Sequence, residues 1–469
     1  MTAGSRRYAR LSVAGMAVLL ILCVIGELAW LFDPLSLPGT MRWIDALNAL
    51  PYLAAVAPAL WACGAWMRIA DRTGRSRLRW GSRTGSKVAG AVSLLSLLLS
   101  AAAVLAIAML EMEPNRIVVT VALLAAAWLA VFLDLAAAEW HARRSIARTL
   151  LLLAANAALL ACLFWPTGSL VTYPGLTMDM NRYAAAKEGE RQRQGRIDGV
   201  LIFERPAFPV DRLYAKLFPH YTFEPIEELG MSIGEYDELV RAMKQDANEA
   251  AIAIAYQRIG LGQGILAQGV RIRAIEAGSP VSGVLHAGDI LVGMNGRKVL
   301  SLIDLTDAMD GVLPGEQARL AIVRDGRELN VTAGTRASED EPDRAAFGVL
   351  VENVLVPDAA GDVRFRRYAV HEGGPSHGAM LTLALLDQLT PGGVTGGRHI
   401  AGTGTIGPDG VIGRVGGVRQ KAYTVSRTGA EVFFVPAGLE DEARLGAPEL
   451  LVVPVRTLDD VLNWLKTGE

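Results

Sequence analysis

The amino-acid sequence predicts a multi-domain protein: an all-α transmembrane bundle of about five spans, then a β-rich module, then an α/β (α+β) domain. Hydrophobic residues make up 51% of the 469 residues, and Leu, Ala and Val are densest in residues 1–168. Residues 169–469 have the composition of ordinary globular sequence. Within this half, strand-like alternation comes first, and apolar helices and strands alternate toward the C-terminus.

Five apolar runs are long enough to cross a membrane, which takes about 20 mostly apolar residues. They lie at roughly 12–32, 48–67, 88–110, 117–138 and 149–166. The first run follows the basic stretch RRYAR, as in a signal peptide, but it is long and has no convincing small-residue cleavage site. We therefore expect it to remain as an anchor.

Basic residues occur mainly in alternate loops between these runs. They are Arg6, Arg7 and Arg10 before the first span, Arg68, Arg72, Arg75, Arg77, Arg79, Arg83 and Lys87 after the second, and Arg143, Arg144 and Arg148 after the fourth. The other two loops offer only Arg42 and Arg116. Because Lys and Arg mark the cytoplasmic side, an odd number of spans places residues 169–469 outside the cytoplasm. The predicted location is the cell membrane, multi-pass.

Two acidic residues lie within the predicted spans, Glu27 and Asp134. An intramembrane acid can mark an ion or proton path. Both are near span ends, however, and Arg143 is close enough in sequence to draw Asp134 toward the interface, so we expect interfacial positions. The sequence has no paired broken spans of the transporter kind. A membrane sensor or transporter is therefore the least favoured of the alternatives.

Charge and cysteine content exclude several classes of function. Residues 1–168 carry 15 Lys+Arg and 8 Asp+Glu, a charge of +7, which leaves −9 for the rest of a chain whose net charge is −2. An acidic globular half argues against nucleic acid as a partner. All three cysteines, Cys23, Cys63 and Cys162, lie in the apolar runs. The globular half therefore has no disulfide framework and no cysteine-based zinc site, and we expect neither metal nor other cofactor.

The patterns divide the chain into four predicted segments. They are a transmembrane anchor with five helices at 1–168, an extracytoplasmic juxtamembrane segment at 169–260, the β-rich module at 261–336, and the C-terminal domain at 337–469. In the juxtamembrane segment DGVLIFERPAF predicts a strand, and IGEYDELVRAMKQDANEAAIAIAYQRIG predicts a helix. Whether the β-rich module is inserted into the C-terminal domain, with DGVLIFERP pairing into its sheet, stays open in the sequence.

The β-rich module has a readable order of elements. GVRIRAI alternates as a strand, AGDILVGMNG is a strand ending in an Asn-Gly turn, SLIDLTDAMDGV is an amphipathic helix, and ARLAIVRDGRELNVTA is a hairpin. This stretch resembles a PDZ domain of the bacterial protease type. The resemblance implies a groove between a strand and the long helix that takes a peptide by strand addition. The expected groove residues are Leu266, Ala267, Gln268, Gly269 and Val270. The alternative is a PDZ fold that serves only as a spacer.

The C-terminal domain contains three glycine-rich motifs. HEGGPSHGAMLTLALLDQL places Ser376 at the start of an apolar helix, TGGRHIAGTGTIGPDG gives a strand and a turn, and RVGGVRQKAYTVSRTG leads into a helix that carries Lys421. Amide groups at a helix N-terminus and the helix dipole favour negative charge, so such a serine can lie beside an oxyanion site. The glycines allow a substrate backbone to approach closely.

These motifs, in this order, look like the proteolytic domain of Lon-type proteases. Together with the anchor and the PDZ-like module, they are similar to the membrane-anchored PDZ–Lon-like serine proteases of bacteria. The resemblance implies that Ser376 is the nucleophile, that Lys421 is the general base, and that Thr403 orients Lys421 by a hydrogen bond. Backbone amides of Gly373 and Ser376 are the candidate oxyanion donors. Ring-shaped homo-oligomers, hexamers above all, are implied by resemblance only.

A Ser–Lys dyad is chemically coherent without metal or histidine. A serine hydroxyl needs a base to take its proton, and lysine can act as that base only when neutral. Its pKa must fall from about 10.4 toward roughly 7–8, which burial achieves. Val418, Tyr423 and Val425 are candidates for the apolar surroundings.

One residue departs from the family pattern, because His377 stands where Lon-type motifs usually have a small alanine. A bulky titratable side chain there can narrow the substrate site, add pH sensitivity, or mark lost activity. A classical triad with His371 and Ser376 is a weaker interpretation because Lys421 lies in a far more specific context. A metal site from His371, His377 and His399 is also weaker because no helical ligand spacing such as His-Glu-x-x-His is present.

The predicted function is ATP-independent serine endopeptidase activity on exported or membrane-associated proteins, held at the membrane. No P-loop pattern occurs, so no ATP is expected. GTGTIG at 402–407 is followed by a Pro-Asp-Gly turn and not by a helix, which argues against a dinucleotide site. The main alternative is a PDZ-based binding or scaffold protein whose Lon-like domain no longer cuts.

Overall fold

The fold is described from a computed structural model of the chain. The described residues are 3–33, 42–76, 83–110, 114–141, 145–187, 195–229, 231–276, 278–338, 341–358, 361–368 and 374–468. The description excludes the side chains of residues 3–6, 72–76, 83–86, 114–115 and 229. Of the residues predicted to take part in catalysis, Gly373 lies outside the described residues, as does His371.

The N-terminal third is helical. Its helices are α1 (Ala3–Glu27), α2 (Trp43–Leu47), α3 (Leu50–Leu53), α4 (Val56–Ser76), α5 (Arg83–Ala108), α6 (Pro114–His141) and α7 (Ala147–Phe164), with a 3-10 turn at Ala29–Phe32. Five segments are long and apolar enough to cross a membrane: Arg7–Glu27, Leu50–Asp71, Lys87–Ala108, Arg116–His141 and Ala147–Phe164. They match the five predicted runs closely, so the prediction of an apolar five-helix region is confirmed.

Polar side chains join three of these long helices. Arg68 of α4 pairs with Asp134 of α6, and the Ser93 hydroxyl of α5 donates a 2.6 Å hydrogen bond to the same carboxylate. All three side chains are buried. Asp134 thus pairs with Arg68 of a neighbouring helix, and Arg143, which was expected to draw it toward the interface, lies outside the described residues. The carboxylate is neutralised inside the bundle by a neighbouring helix, because burying an unpaired charge is costly.

The C-terminal two thirds contain eighteen strands among the described residues. They are β1 (Ser169–Asp179), β2 (Ala184–Ala186), β3 (Arg196–Pro206), β4 (Thr222–Pro225), β5 (Gly264–Ile275), β6 (Ile290–Met294), β7 (Arg297–Lys298), β8 (Gln317–Arg324), β9 (Arg327–Gly334), β10 (Arg336–Ala337), β11 (Ala345–Ala346), β12 (Val349–Asp358), β13 (Val363–Phe365), β14 (His399–Gly402), β15 (Thr405–Ile406), β16 (Ile412–Gly413), β17 (Val432–Pro436) and β18 (Val452–Val455).

Eight further helices accompany these strands. They are α8 (Met180–Tyr183), α9 (Pro209–Leu217), α10 (Ile233–Arg258), α11 (Leu302–Met309), α12 (Gly378–Leu389), α13 (Val418–Ser426), α14 (Glu440–Gly446) and α15 (Leu458–Thr467). Short 3-10 turns occupy Ile226–Leu229, Pro375–His377 and Pro408–Gly410. The predicted helices near residues 233–259, 301–312, 376–389 and 418–428 all form.

The larger sheet has the strand order β18-β17-β14-β3-β1-β4. Its first four strands run parallel, and β1 and β4 join antiparallel at the other edge. DGVLIFERP lies in β3, which pairs with β14 from residues 399–402. One sheet thus takes strands from the predicted 169–260 and 337–469 segments, and the intervening PDZ-like residues lie between them in sequence.

The second sheet has the order β12-β5-β6-β8-β9, with β7 pairing to β6. The whole of β5 pairs antiparallel with β12, from Gly264 opposite Asp358 to Ile275 opposite Val349. Residues 266–270, predicted to line the peptide groove, therefore lie in a strand that has one edge already paired with β12, about 80 residues further along the chain.

Candidate active site

Ser376 lies in a tight turn that leads directly into α12. The turn spans Pro375–His377, and the helix begins at Gly378. A side chain at Gly378 would come within 3.1 Å of the Ile406 backbone nitrogen, so glycine is needed for this close packing. The helix is buried from Gly378 to Gln388. Ser376 itself is half-buried, so its hydroxyl lies at the boundary between the core and the solvent.

Lys421 extends from the second turn of α13 into the protein interior. Its side chain is only 2% exposed, and it belongs to the largest fully buried side chains of the described residues. Its helix neighbours Val418 and Val425 are fully buried, and Tyr423 is half-buried. The helix starts after Gly417, whose φ of 66° is the left-handed region that favours glycine, and a side chain there would come within 2.6 Å of Ile202.

Thr403 joins Lys421 to the serine turn. Lys421 Nζ donates a 3.1 Å hydrogen bond to Thr403 Oγ1, and Thr403 Oγ1 donates a 3.2 Å hydrogen bond to the Ser376 carbonyl oxygen. The Gly404 amide also donates to this carbonyl, at 2.8 Å. The three residues named from the sequence as catalytic are thus brought together by α12, α13 and the end of β14.

The Ser376 hydroxyl and the Lys421 amine do not hydrogen-bond each other here, both being within the described part of the chain. Proton-transfer contacts are often long or misaligned before substrate binds. Thr403 therefore holds the amine beside the serine turn.

Burial lowers the pKa of Lys421 from its ordinary value to about 7, and the negative charge of Glu442 opposes part of that shift. The cause is desolvation, because an ammonium group loses its hydration shell in the apolar interior. A lysine with such a pKa is neutral in a large fraction of molecules at neutral pH. The amine can then accept a proton, which an ordinary lysine cannot do.

The His377 side chain faces away from solvent, so it does not narrow the site at the serine turn from the solvent side. It is 3% exposed. Its Nδ1 lies 3.0 Å from the Gly374 carbonyl oxygen, and its Nε2 lies 2.8 Å from Asn248 Oδ1 of α10. Asn248 in turn reaches the Tyr183 hydroxyl at 3.5 Å. The ring thereby connects the GGPSH turn to α10.

Burial also lowers the pKa of His377, to about 4, with hydrogen bonding to Gly374 opposing the shift. A neutral ring carries one N–H, so it can donate to only one of the two oxygens beside it, the Gly374 carbonyl oxygen or Asn248 Oδ1. Asn248 and Tyr183 were missed in the sequence, because both lie over 120 residues away and neither belongs to a motif.

A second candidate site lies in the PDZ-like sheet, between α11 and β12. A cavity of about 410 Å³ is lined by Leu305, Thr306 and Met309 of the helix and by Phe347, Gly348, Val349 and Val351 at the start of β12. Among the described strands β12 is the edge of its sheet. The alternating run FGVLVENVLV was the signal that could have located this edge in the sequence.

Comparison with protein families agrees with this architecture. The family model for the PDZ domain matches residues 238–335, and the model for the Lon protease (S16) C-terminal proteolytic domain matches residues 360–466. The chain is thus a multi-domain protein of the PDZ and Lon-type protease classes, with several long apolar helices before them. The recognition made from the motifs is confirmed.

Similar curated proteins match this chain over only short parts of their own length. A probable periplasmic serine endoprotease, DegP-like, from Ectopseudomonas mendocina is 36% identical over 76 residues, which are 16% of this chain and 16% of that protein. The Lon protease of Trichlorobacter lovleyi is 32% identical over 99 residues, 20% of this chain and 12% of that protein. The chain thus matches well under a fifth of the length of either relative.

Among solved structures, the PDZ domain of an SdrC-like protein from Listeria innocua is similar, at 19% identity. The match covers 18% of this chain and 92% of that domain, with a TM-score of 0.17. The likeness is confined to one small part of the chain.

Proposed function

We propose that this protein is an ATP-independent, membrane-bound serine endopeptidase with Ser376 as nucleophile and Lys421 as general base. The observation that carries the proposal is the buried amine of Lys421, held by Thr403 beside the serine turn, with a pKa lowered to about 7. Lon-type family membership of residues 360–466 supports the same reaction class.

The reaction follows from these positions. Neutral Lys421 Nζ takes the proton of Ser376 Oγ while the oxygen bonds to the substrate carbonyl carbon. The tetrahedral oxyanion is stabilised by amides of the serine turn, with Gly373 and Ser376 as the proposed donors. Its collapse breaks the C–N bond, and the Lys421 ammonium donates its proton to the leaving amine. Water then attacks the acyl-serine ester, Lys421 accepts its proton, and the carboxylic acid product leaves as the serine hydroxyl is restored.

Thr403 acts in this scheme through the lysine. Its hydroxyl accepts from Lys421 Nζ and donates to the Ser376 carbonyl, so it fixes the distance between the two dyad residues. A dyad held this way needs no cofactor, no metal and no nucleotide.

The substrates we propose are exported or membrane-associated proteins. Five helices long and apolar enough to cross a membrane support an anchor, and the alternate placement of Lys and Arg favours a position of residues 169–469 outside the cytoplasm. A periplasmic DegP-like protease among the relatives points to the same compartment. A multi-pass anchor keeps the protease close to newly exported chains. A homo-oligomer, hexameric by family resemblance, remains part of the proposal.

We propose further that substrate peptides bind the PDZ-like domain along β12 and α11, and not at residues 266–270. The edge strand offers unpaired backbone groups, and the cavity beside it, lined by apolar side chains together with Glu276, Arg336 and Arg344, can take alternate side chains of an extended peptide. Fluorescence anisotropy with a labelled apolar peptide tests this on the full chain carrying Ser376→Ala. Leu305→Glu should weaken binding at least about 10-fold, and Leu266→Glu should not. The reverse result would restore the groove first predicted.

Cleavage of an unfolded fluorescent reporter by the full-length protein in nanodiscs, without ATP, tests the catalytic proposal. Ser376→Ala and Lys421→Ala should each lower the rate by about 10³-fold or more. Ser426→Ala and Lys466→Ala are matched controls, since Ser426 at the end of α13 and Lys466 on α15 are both exposed. Loss of activity in either control as well would point to misfolding and not to the dyad.

The alternative is a binding protein whose Lon-like domain does not cut, and the missing Ser376–Lys421 hydrogen bond is the observation that favours it. A serine-directed fluorophosphonate probe separates the two functions, because only an activated hydroxyl forms the covalent adduct. No adduct on Ser376 between pH 5 and 10, in protein that still binds peptide, would establish the binding function and end the protease proposal.

A further inference from the structure

The loop between the first and second long apolar helices is built into the proteolytic domain. Ala29 and Trp30, and then Ile44 and Leu47, are buried in the same hydrophobic core as α12 and the large sheet. Trp30 is 0% exposed. A connection between two helices of a membrane anchor would ordinarily run over the surface. Here it supplies part of the core of a domain that begins over 130 residues later.

Trp30 packs in an aromatic pocket of the proteolytic domain. Its ring contacts Phe218 at 5.8 Å, Tyr221 at 6.3 Å and Tyr423 at 6.3 Å, measured between centroids. Its indole N–H donates a 3.3 Å hydrogen bond to the Tyr221 hydroxyl. Tyr423 belongs to α13, two residues after Lys421. The tryptophan thus contacts the helix that carries the general base.

Arg427 fastens the same turn to the end of α13. Its guanidinium donates to the Trp30 carbonyl oxygen at 3.2 Å and also to the Leu31 carbonyl oxygen. It also lies over the rings of Trp30 and Tyr423, at 5.8 and 5.9 Å. Arginine offers several donors in one plane, so a single side chain can hold two backbone groups.

Asp33 and Asp45 tie the two ends of the loop to the domain. The Asp33 carboxylate accepts hydrogen bonds from the Thr177 amide at 3.0 Å and from the Thr177 hydroxyl at 2.9 Å. Asp45 pairs with Arg182 and Arg366, each at 3.0 Å. Both carboxylates are buried, so these contacts specify one docked position.

The position of the contact on α13 links the loop to catalysis. Residues two apart on a helix point about 200° from each other. Trp30 therefore packs on the side of α13 opposite Lys421 and keeps the helix pressed against the core into which Lys421 inserts. If the turn left its pocket, α13 would lose this cover, the lysine would be less buried, and its pKa would rise toward the ordinary value.

We propose that Trp30 and Arg427 are positioning residues for Lys421, so that the anchor loop is required for an active dyad. This inference rests on the proposed function. It predicts that a soluble fragment starting at residue 169 has impaired activity even when it folds, because the fragment lacks Trp30. The membrane anchor then does more than fix the location, since it completes the fold around the catalytic base.

The test uses the full-length protein in nanodiscs and two measurements. Trp30→Ala should speed backbone hydrogen exchange in residues 418–426 by about 100-fold, because a buried tryptophan is removed. It should also slow fluorophosphonate labelling of Ser376 by at least about 10-fold and move the pH midpoint of labelling upward from about 7 by roughly one unit. Trp30→Phe should retain most of the wild-type protection from hydrogen exchange and most of the wild-type labelling rate.

Trp66→Ala is the matched control, because Trp66 is 62% exposed on another long helix. It should leave hydrogen exchange and labelling unchanged. Arg427→Gln provides a second variant if Trp30→Ala does not fold. It keeps the tryptophan and replaces the guanidinium that holds both carbonyl groups by a shorter, uncharged amide, so exchange in residues 418–426 should rise by about 10-fold.

The outcomes separate this inference from the proposed function. If the probe does not label the wild-type protein, the protease proposal is refuted. If α13 nevertheless exchanges faster in Trp30→Ala or Arg427→Gln, the structural role of the loop is kept. Unchanged exchange in 418–426 in folded variants, with an unchanged pH midpoint wherever labelling occurs, would overturn the inference.

Discussion

The two large sheets differ in the sequence distance between strands that pair. In the PDZ sheet β8 and β9 are joined by a tight turn, and β5 and β6 are neighbours along the chain. In the proteolytic sheet β3 pairs with β14, about 200 residues away. The first kind of pairing can be read from turns and alternation, whereas the second depends on which surfaces meet in the folded chain.

The same difference governs the two candidate sites. The proposed peptide groove of the PDZ-like domain lies along an edge strand of its sheet. The proteolytic site buries a lysine and a histidine, both with lowered pKa values. Substitutions in the proteolytic site should therefore change stability and pH dependence together, and those in the PDZ domain should act on stability and peptide binding alone.

The largest effect should come from removing the buried lysine. Lys421→Met should abolish cleavage and raise the free energy of unfolding by on the order of 4 kcal/mol below pH 7, because the folded state no longer has to bury an amine. The gain should shrink as pH rises from about 7 toward 10.5, where the unfolded lysine also loses its proton. Urea unfolding at pH 6 and pH 10 measures this, and an equal gain at both would contradict it.

The next largest effect should come from replacing His377, which directly follows Ser376. His377→Ala should lower the free energy of unfolding by about 3 kcal/mol, because it leaves a cavity and frees the Gly374 carbonyl and Asn248. The pH midpoint of fluorophosphonate labelling should stay near 7, since that midpoint belongs to Lys421. A midpoint shifted by a full unit would instead make His377 part of the proton transfer.

The lowered pKa of His377 also predicts the direction in which the stability of the protein changes with pH. Its pKa in the folded protein is about 4, below its ordinary value of 6.5. The unfolded chain therefore binds the proton more readily, and wild-type stability should fall as pH drops from about 6.5 to 4. His377→Ala should show a shallower fall over this range, which unfolding curves at pH 6.5 and 4.5 can detect.

A smaller loss of stability should come from a substitution in the PDZ-like domain, and it should remain confined to the sheet of that domain. Asp289 accepts from Arg324 Nε at 2.7 Å and from the His286 amide at 2.8 Å, and its side chain is nearly fully buried. Asp289→Ala should destabilise this domain by about 2–3 kcal/mol. Hydrogen exchange should rise in β6 and β8 but not in α12, and fluorophosphonate labelling of Ser376 should be unaffected. Faster exchange in α12 would show that the two sheets unfold together.

The smallest effect should come from an exposed contact between elements of the proteolytic domain. Arg258 of α10 pairs with Asp459 of α15 at 2.7 Å, and both side chains are substantially exposed. Arg258→Ala should cost less than about 1 kcal/mol, because such pairs are screened by solvent. Thermal unfolding in low and high salt measures this. A larger loss would mean that the arginine contributes through more than the ion pair, since its guanidinium also donates to the Asp409 carbonyl oxygen.

Much of the site could be predicted from local sequence. A serine after Gly-Gly-Pro at the start of an apolar helix and a lysine four residues after Gly-Gly predicted the two residues of the proposed dyad, and the structure brings both to Thr403. The groove residues 266–270 could not be located in this way. An alternating strand does not indicate which strand covers its edge, and β12 was the unrecognised neighbour.

The sequence by itself determined the composition of the parts: five apolar helices, a β module with hairpin turns, and a Ser–Lys motif set. These depend on hydrophobic periodicity, turn residues and motifs that span a few neighbours. Only the tertiary structure decided that β3 pairs with β14, that His377 bonds Asn248, and that Trp30 from the anchor loop packs on α13. Those contacts join residues about 130 to 400 positions apart, where burial and pairing are chosen by the whole fold and no local pattern records the partner.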